Sequence, residues 1–365
     1  FKFPQLWRST IAVDYRLPFG FVAGAEYLHS RDVNGIYYIN ANLADPNTAF
    51  TGADNRPRWT TSNRINSFIT SAVVLKNQNV GTARNIAFTL ERRYSKGLYT
   101  KAAYSYGEGR NTVDPGSIAF GSWNNNQHSG NPNNPGVAFS GATPKHRIFV
   151  AGTYRKEYFK FGATTVSAFW ETRTGGNTSY TLSGDLNGDG GTSNDLVYVP
   201  RDASEMNFAN ITTSTGAIRF TPAQQAAAWE AYISQDPYLS KRRGQYAERG
   251  AAFLPFTTNI DFNIAQDVFA KFGGMQHKFQ FRMDILNFGN LLNKNWGVGE
   301  RFVSNQPLIT TSTSSTSTCR PAAATTTATY CLRLIGSDLI NTSYQKTAGI
   351  GDVYRIQFGV RYFFN

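Results

Sequence analysis

Along much of this 365-residue chain, apolar and polar positions alternate one by one. The stretch VYRIQFGVRYFFN near the C-terminus shows the pattern clearly. Tyr354, Ile356, Phe358, Val360, Tyr362 and Phe364 fall on one face, and Arg355, Gln357, Gly359, Arg361 and Phe363 on the other. Successive side chains of a strand point to opposite faces, so a period of two marks β-structure. A run of about ten such residues is long enough to cross a bilayer when tilted. The alternation recurs at Ile11, Val13 and Tyr15, at Ile86, Phe88 and Leu90, at Ile260, Phe262 and Ile264, and at Phe279, Phe281, Met283 and Ile285. Nine strands are expected, at roughly 6–16, 21–40, 83–94, 98–110, 145–158, 163–173, 256–269, 277–288 and 353–364. Residues 67–75 suit a further hairpin arm above the rim.

The links between these strands are lopsided. Short ones fall at 17–20, 95–97, 160–162 and 270–276, and long ones at about 44–62, 111–143, 174–252 and 291–352. A soluble β-sandwich also alternates, but it does not need a long loop at every second connection. Short turns on one side and long loops on the other describe an antiparallel transmembrane β-barrel. Several full charges also share single strand faces, such as Lys278, Arg282 and Asp284. Nine strands leave both ends running the same way, so the expected unit is the C-terminal part of a larger barrel. One loop helix is expected in TPAQQAAAWEAYISQDP, with Thr221 as N-cap, Pro222 first in the helix, Gln224 completing a capping box and Pro237 ending it. It reads as a surface element. The Thr-rich segment 309–331 reads as an exposed loop tip.

Composition fits this picture. Aromatics are 14% and charged residues only 16%. No run of about 18 or more apolar residues marks a membrane helix. The net charge of +12 raises nucleic acid as a partner. The basic residues are scattered singly through strands, which favours lumen lining and contact with anionic lipid instead. Cys319 and Cys331 lie far from other ligand clusters, so a short-loop disulfide and an oxidising compartment are expected. No hydrolase, zinc-protease or P-loop motif occurs, and no enzyme is expected. Trp123 and Trp229 are outer-loop aromatics that could stack on a ligand.

One stretch invites a metal. In SGDLNGDGGTSNDLVYVP, Asp185, Asn187, Asp189 and Gly190 fill the opening positions of a calcium loop. The closing Glu is replaced by Leu196, with Asp195 one place early, and no flanking helices are expected. Two readings stand. Asp185, Asn187, Asp189 and Asp195 hold a calcium ion in an irregular loop, or they form an Asx-rich turn that caps its own backbone.

Four stretches carry a resemblance: TPKHRIFVAGTYR (143–155), SGDLNGDGGTSNDLVYVPRD (183–202), MDILNFGNLLNKNWG (283–297) and RIQFGVRYFF (355–364). Together they resemble the C-terminal barrel of a TonB-dependent outer-membrane receptor of the Oar-like type. The likeness covers most of residues 80–365. It implies a barrel of about 22 strands with a plugged lumen, of which these would be roughly strands 14 to 22. The plug, the TonB-interacting segment and the first barrel strands would lie outside this chain. The implied place is the outer membrane of a Gram-negative bacterium, among its lipids and lipopolysaccharide. The implied function is import of a bulky solute energised through TonB. Tyr354, Ile356, Phe358, Val360, Tyr362 and Phe364 would then be the signal read by the barrel-insertion machinery, although the chain ends in Asn365 rather than an aromatic. The alternatives are a structural or assembly barrel of a surface or secretion complex, and an adhesin using the Thr-rich loop.

Overall fold

The computed structural model describes residues 1–314, 317–320 and 325–364. Among the described residues the fold is all-β, with three α-helices. Nine long strands form one antiparallel meander in chain order: β1 (Gln5–Arg16), β2 (Phe21–Val33), β3 (Thr82–Ser95), β4 (Leu98–Asn111), β5 (Lys145–Tyr158), β6 (Gly162–Thr174), β7 (Phe256–Phe272), β8 (Met275–Leu286) and β9 (Arg355–Phe364). A tenth, two-residue strand, Ala138–Phe139, pairs with the loop end of β4. Among the described residues the sheet is open, with β1 and β9 as its edges.

The expected strands and the short-turn asymmetry are both present. Two of the turns contain only two residues, Lys96–Gly97 and Gly273–Gly274. All four of these residues have positive φ. That backbone twists with the flanking strands and suits a tight hairpin. The expected strand 21–40 is not continuous. Asn34 adopts a left-handed conformation, and Gly35–Asn40 leaves the sheet to pair with Val73–Gln78. Of the arm expected at 67–75, only the part from Val73 onward is strand, within Val73–Gln78; residues 67–72 are not.

Register joins the apolar positions of separate strands into one face. Across the sheet, Tyr15 sits opposite Ala23, Ile11 opposite Tyr27, Tyr27 opposite Ile86 and Phe88 opposite Tyr104. The row continues through Ile148, Val150 and Trp170 to Ile260, and through Phe262, Ile285 and Ile356. Phe88, Val150, Phe281, Phe358 and Val360 are all exposed on it. The opposite face carries Glu91 with Lys101 at 3.1 Å, Arg155 with Asp267 at 2.5 Å, Lys278 with Asp267 at 3.1 Å and Arg282 with Asp284 at 2.6 Å.

The hydrophobic core lies elsewhere. The four long connections, 34–81, 112–144, 175–255 and 287–354, fold together into a lobe at one end of the strands. Its main core gathers Phe50 from the first connection, Tyr180, Leu182, Val197, Trp229, Tyr232 and Ile233 from the third, and Leu308, Tyr330, Leu332 and Ile340 from the fourth. A smaller cluster joins Tyr38 and Trp59 to Val113 and Trp123.

The expected helix is α2 (Pro222–Gln235), with its capping box formed; α1 (Ala119–Asn124) precedes it and α3 (Phe288–Leu292) follows. It is not a surface ornament: Gln225, Trp229, Tyr232 and Ile233 are buried, one helical face apart, in the lobe core. Asp236 ends the helix. Its carboxylate accepts the N–H groups of Tyr238 and Leu239 and the hydroxyls of Tyr180 and Ser343. The ends of the Thr-rich segment are also structural. Leu308–Thr310 and Thr329–Leu332 are strands, and the Cys319–Cys331 disulfide closes the segment between them. Residues 315–316 and 321–324 of that segment lie outside the described residues.

Candidate functional site

The functional candidate is the junction where the lobe meets the polar face of the sheet. A buried ion-pair hub holds the lobe together. Arg56 donates to both oxygens of Asp54 at 2.9 and 3.0 Å, to Asp195 at 3.1 Å and to the Leu196 carbonyl at 2.7 Å. Tyr246 and Tyr330 donate their hydroxyls to Asp54. The Arg56 guanidinium also lies 5.1 Å over the Tyr246 ring. Arg56 thus ties the first connection to the third, and Asp54 extends the tie to the fourth. Burial opposes the charges, but their pairing prevails at two of them. Asp54 is held below the usual carboxylate range by Arg56 and the two tyrosines, and Arg56 is pushed further toward its charged form by Asp54 and Asp195. Asp195 is raised instead, because burial and the Asp189 charge outweigh Arg56.

The stretch singled out for calcium forms the other half of this hub. Asp185 accepts the N–H groups of Gly188 and Gly190 at 2.7 and 2.9 Å. Asp189 accepts the Gly191 N–H at 2.7 Å and lies 3.1 Å from His128 Nε2 of the second connection. Asn187 accepts the Asp189 N–H at 3.0 Å, and Asp195 accepts the Leu186 N–H at 2.9 Å. So the four residues do come together, and each carboxylate oxygen already faces an N–H donor. This is the geometry of an Asx-rich turn. Among the described residues, no three His, Cys, Asp or Glu side chains assemble a metal-holding group.

Two positions explain the spacing of the motif. Gly188 has a φ of 84°, and a Cβ there would sit 2.3 Å from the Trp59 carbonyl. The Asn187 carbonyl in turn accepts the Trp59 N–H at 2.6 Å. The turn therefore packs directly on the first connection, and only glycine fits there. Burial and the neighbouring Asp189 charge push the Asp185 carboxyl up to about 6. Asp189 goes the other way, since hydrogen bonds and charge from His128 overcome its burial.

Two adjoining cavities lie around this framework. One, of about 520 Å³, is lined by Asp114, Asn125, Gln127, Ser179, Arg249 and Asn305 among others. Asp114 and Arg249 are 3.6 Å apart, so their charges offset and the lining is close to neutral. The other, of about 640 Å³, reaches the sheet at Arg147, Arg173, Thr257 and Asn259, all on the polar face. Gly141 and Asn177 line both cavities, which makes the two neighbours. Arg147 and Arg173 stand directly opposite each other and share Glu171, at 2.6 and 4.0 Å. Glu300 and Asp352 stand in the same lining. The two cavities thus lie side by side between the lobe and the charged face.

The two tryptophans considered for ligand stacking are not available for it. Trp123 and Trp229 are both buried in lobe cores, because their connections fold inward. Arg56, His128 and the Arg147–Arg173 pair carry no local sequence signal. Arg56, Arg147 and His128 each reach a partner at least 24 residues away, in Asp195, Glu171 and Asp189. The terminal residues Tyr354, Ile356, Phe358, Val360, Tyr362 and Phe364 are exposed, and the last five share the apolar face of β9. Asn365 lies outside the described residues. Comparison with family models, curated proteins and solved structures finds no match to the chain.

Proposed function

We propose that this chain is one wall of an outer-membrane β-barrel that admits a bulky solute from outside, as in the TonB-dependent receptors it resembles. The observation that carries this reading is the register of the nine strands. It lines up exposed apolar side chains on one face and ion pairs on the other. An exposed apolar surface of this extent is unfavourable in water and marks a membrane or protein contact. Its height also suits a bilayer. Arg84 and Arg92 bracket Ile86, Phe88 and Leu90 on β3. Eight residues span roughly 26 Å along a strand, or about 20 Å along the normal after a tilt of ~40°. That approaches the ~25 Å apolar band of such barrels.

The edges support the same reading. β1 and β9 run in the same direction, so joining them directly would make a parallel pair. Antiparallel closure takes an odd number of further strands. A barrel of about 22 would supply about thirteen. In this arrangement the lobe caps the outer mouth, the two polar cavities receive the solute, and the polar face lines the lumen. Energy would come through a plug and TonB.

Single cysteines in the full-length protein test the membrane part. A cysteine at Phe88 or Val150 resists a charged maleimide in intact membranes, while one at Phe68, a 97% exposed loop tip, reacts. Equal reaction at Phe88 and Phe68 would remove the membrane reading. Transport is tested by a growth screen on candidate nutrients, comparing cells with and without the gene. Normal assembly at the surface with no uptake defect on any nutrient would favour a structural or assembly barrel.

A further inference from the structure

Alternate residues of β7 face two different cavities. Thr257 and Asn259 line the polar cavity described above. Phe256, Thr258 and Ile260 line another, of about 440 Å³, on the apolar face. Its other wall is the segment that follows β8. There α3 turns back over the sheet, with the Phe288 ring tilted against Phe262 at 5.6 Å between centroids. Gly289 faces the sheet, where a Cβ would make an ordinary contact of 3.7 Å with Ile260 Cδ1. Trp296 and Val298 complete the wall. Leu291, Leu292 and Trp296 are exposed beyond it, so this collar is apolar on its outer side as well.

Two lysines adjoin Asn295 of this lining, one by a hydrogen bond and one along the chain. Lys346 donates from Nζ to Asn295 Oδ1 at 2.8 Å, and Asn295 lines the cavity. Glu300 is opposite Lys346 in register, but no ion pair joins the two among the described residues. Lys294, next to Asn295 in the chain, is exposed and likewise has no ion pair among the described residues. A slot walled by Phe256, Ile260, Trp296 and Val298, with cations beside its polar residues, suits one kind of ligand, a chain-bearing anion. Tryptophan and lysine are also the residues that settle at the headgroup level of a bilayer.

We propose that this cavity holds one acyl chain of an anionic membrane lipid, with the lipid phosphate on Lys346 and Lys294. The proposal rests on the membrane reading above. The site lies on the apolar face, so its occupant comes from the bilayer and not from the solute route. Lipid would brace the collar against β7 at the rim where the fourth connection begins.

Native mass spectrometry of the full-length protein in detergent tests this, with phosphatidylglycerol and phosphatidylcholine of equal chain length as probes. Phosphatidylglycerol adducts should exceed phosphatidylcholine adducts about fivefold or more. Lys346→Ala should bring that ratio close to one, and Lys346→Arg should keep it. Trp296→Ala should reduce both lipids. Lys160→Ala, at a turn on the far end of the sheet, should change neither. A membrane-embedded protein whose adducts are indifferent to Lys346 and Trp296 would overturn the lipid site alone. A protein that never enters membranes would overturn both readings.

Discussion

In the sheet many large apolar side chains are on the surface, and in the lobe most of them gather into buried cores. Phe358 of β9 is 76% exposed, while Trp229 of α2 is 1% exposed. Charge is distributed the other way. Arg56, Asp54 and Asp195 are buried in the lobe, whereas the ion pairs of the sheet lie along its polar face. Each region is self-consistent for a different surrounding. The lobe buries its apolar groups as a water-soluble domain does. The sheet turns them outward and pairs its backbone from strand to strand between the edges β1 and β9, which under the proposed reading suits lipid once the edges are closed. The contrast teaches that a mean hydropathy of −0.38 averages over two opposite designs.

The sharpest way to break the contrast is to remove a buried charge. Arg56→Ala leaves Asp54 and Asp195 unpaired in the lobe and should cost about 3–5 kcal/mol. Near-ultraviolet circular dichroism follows it, because Trp59, Trp123 and Trp229 all lie in the lobe cores. An unchanged lobe transition would mean that the hub is not buried as described. The next test inverts the apolar face. Phe88→Arg should destabilise the liposome-reconstituted protein by about 2–4 kcal/mol, the range for a cation on a lipid-facing strand. Phe68→Arg, at the lobe tip, should stay within about 0.5 kcal/mol in the same denaturant titration. Equal effects would erase the distinction between the two surfaces.

Two smaller effects sharpen the picture within the lobe. The Cys319–Cys331 bond closes a short loop, with a separation of 12 residues. Replacing both cysteines by serine should lower lobe stability by up to about 3 kcal/mol. A melt of the double variant that overlays the wild type would show that the lobe holds this segment without it. The smallest effect concerns pH. Asp185 titrates at about 6 in the folded lobe, against about 3.9 in an unfolded chain. A raised folded value means that its contribution is fully present below pH ~4 and lost as pH rises through 6. After allowance for partial exposure this is about 1–2 kcal/mol. Asp54 and Asp189 are lowered and act in the opposite sense, losing stability only as pH falls through their own values. Melting temperatures from pH 7 to 5 should therefore depend on pH less steeply in Asp185→Asn than in wild type. Parallel profiles would assign the pH response to other groups.

Legibility in sequence followed the same division. Strand alternation depends only on a residue and its immediate neighbours, so the nine strands and the capped helix α2 could be read directly. The lobe could not. Phe50, Tyr180 and Tyr330 share a core although they come from three separate connections, and nothing local announces it. Trp229 looked like a loop aromatic because its burial depends on strands far away in the chain. The turn at 185–195 was legible as two alternatives. Neither announced that Gly188 packs against Trp59, or that Arg56 reaches Asp195 across 139 positions.

By itself, the sequence determined the period-two strands, the tight glycine turns, the lopsided connections and the helix cap. These follow from the backbone's own geometry and from the side chain at each position. Only the tertiary structure decided that four connections fold into one lobe. It also decided that the acidic turn is tied to an arginine in another connection, and that β7 divides two cavities between its faces. Those outcomes depend on register and long-range packing, where a one-residue slip would exchange the two faces of a strand.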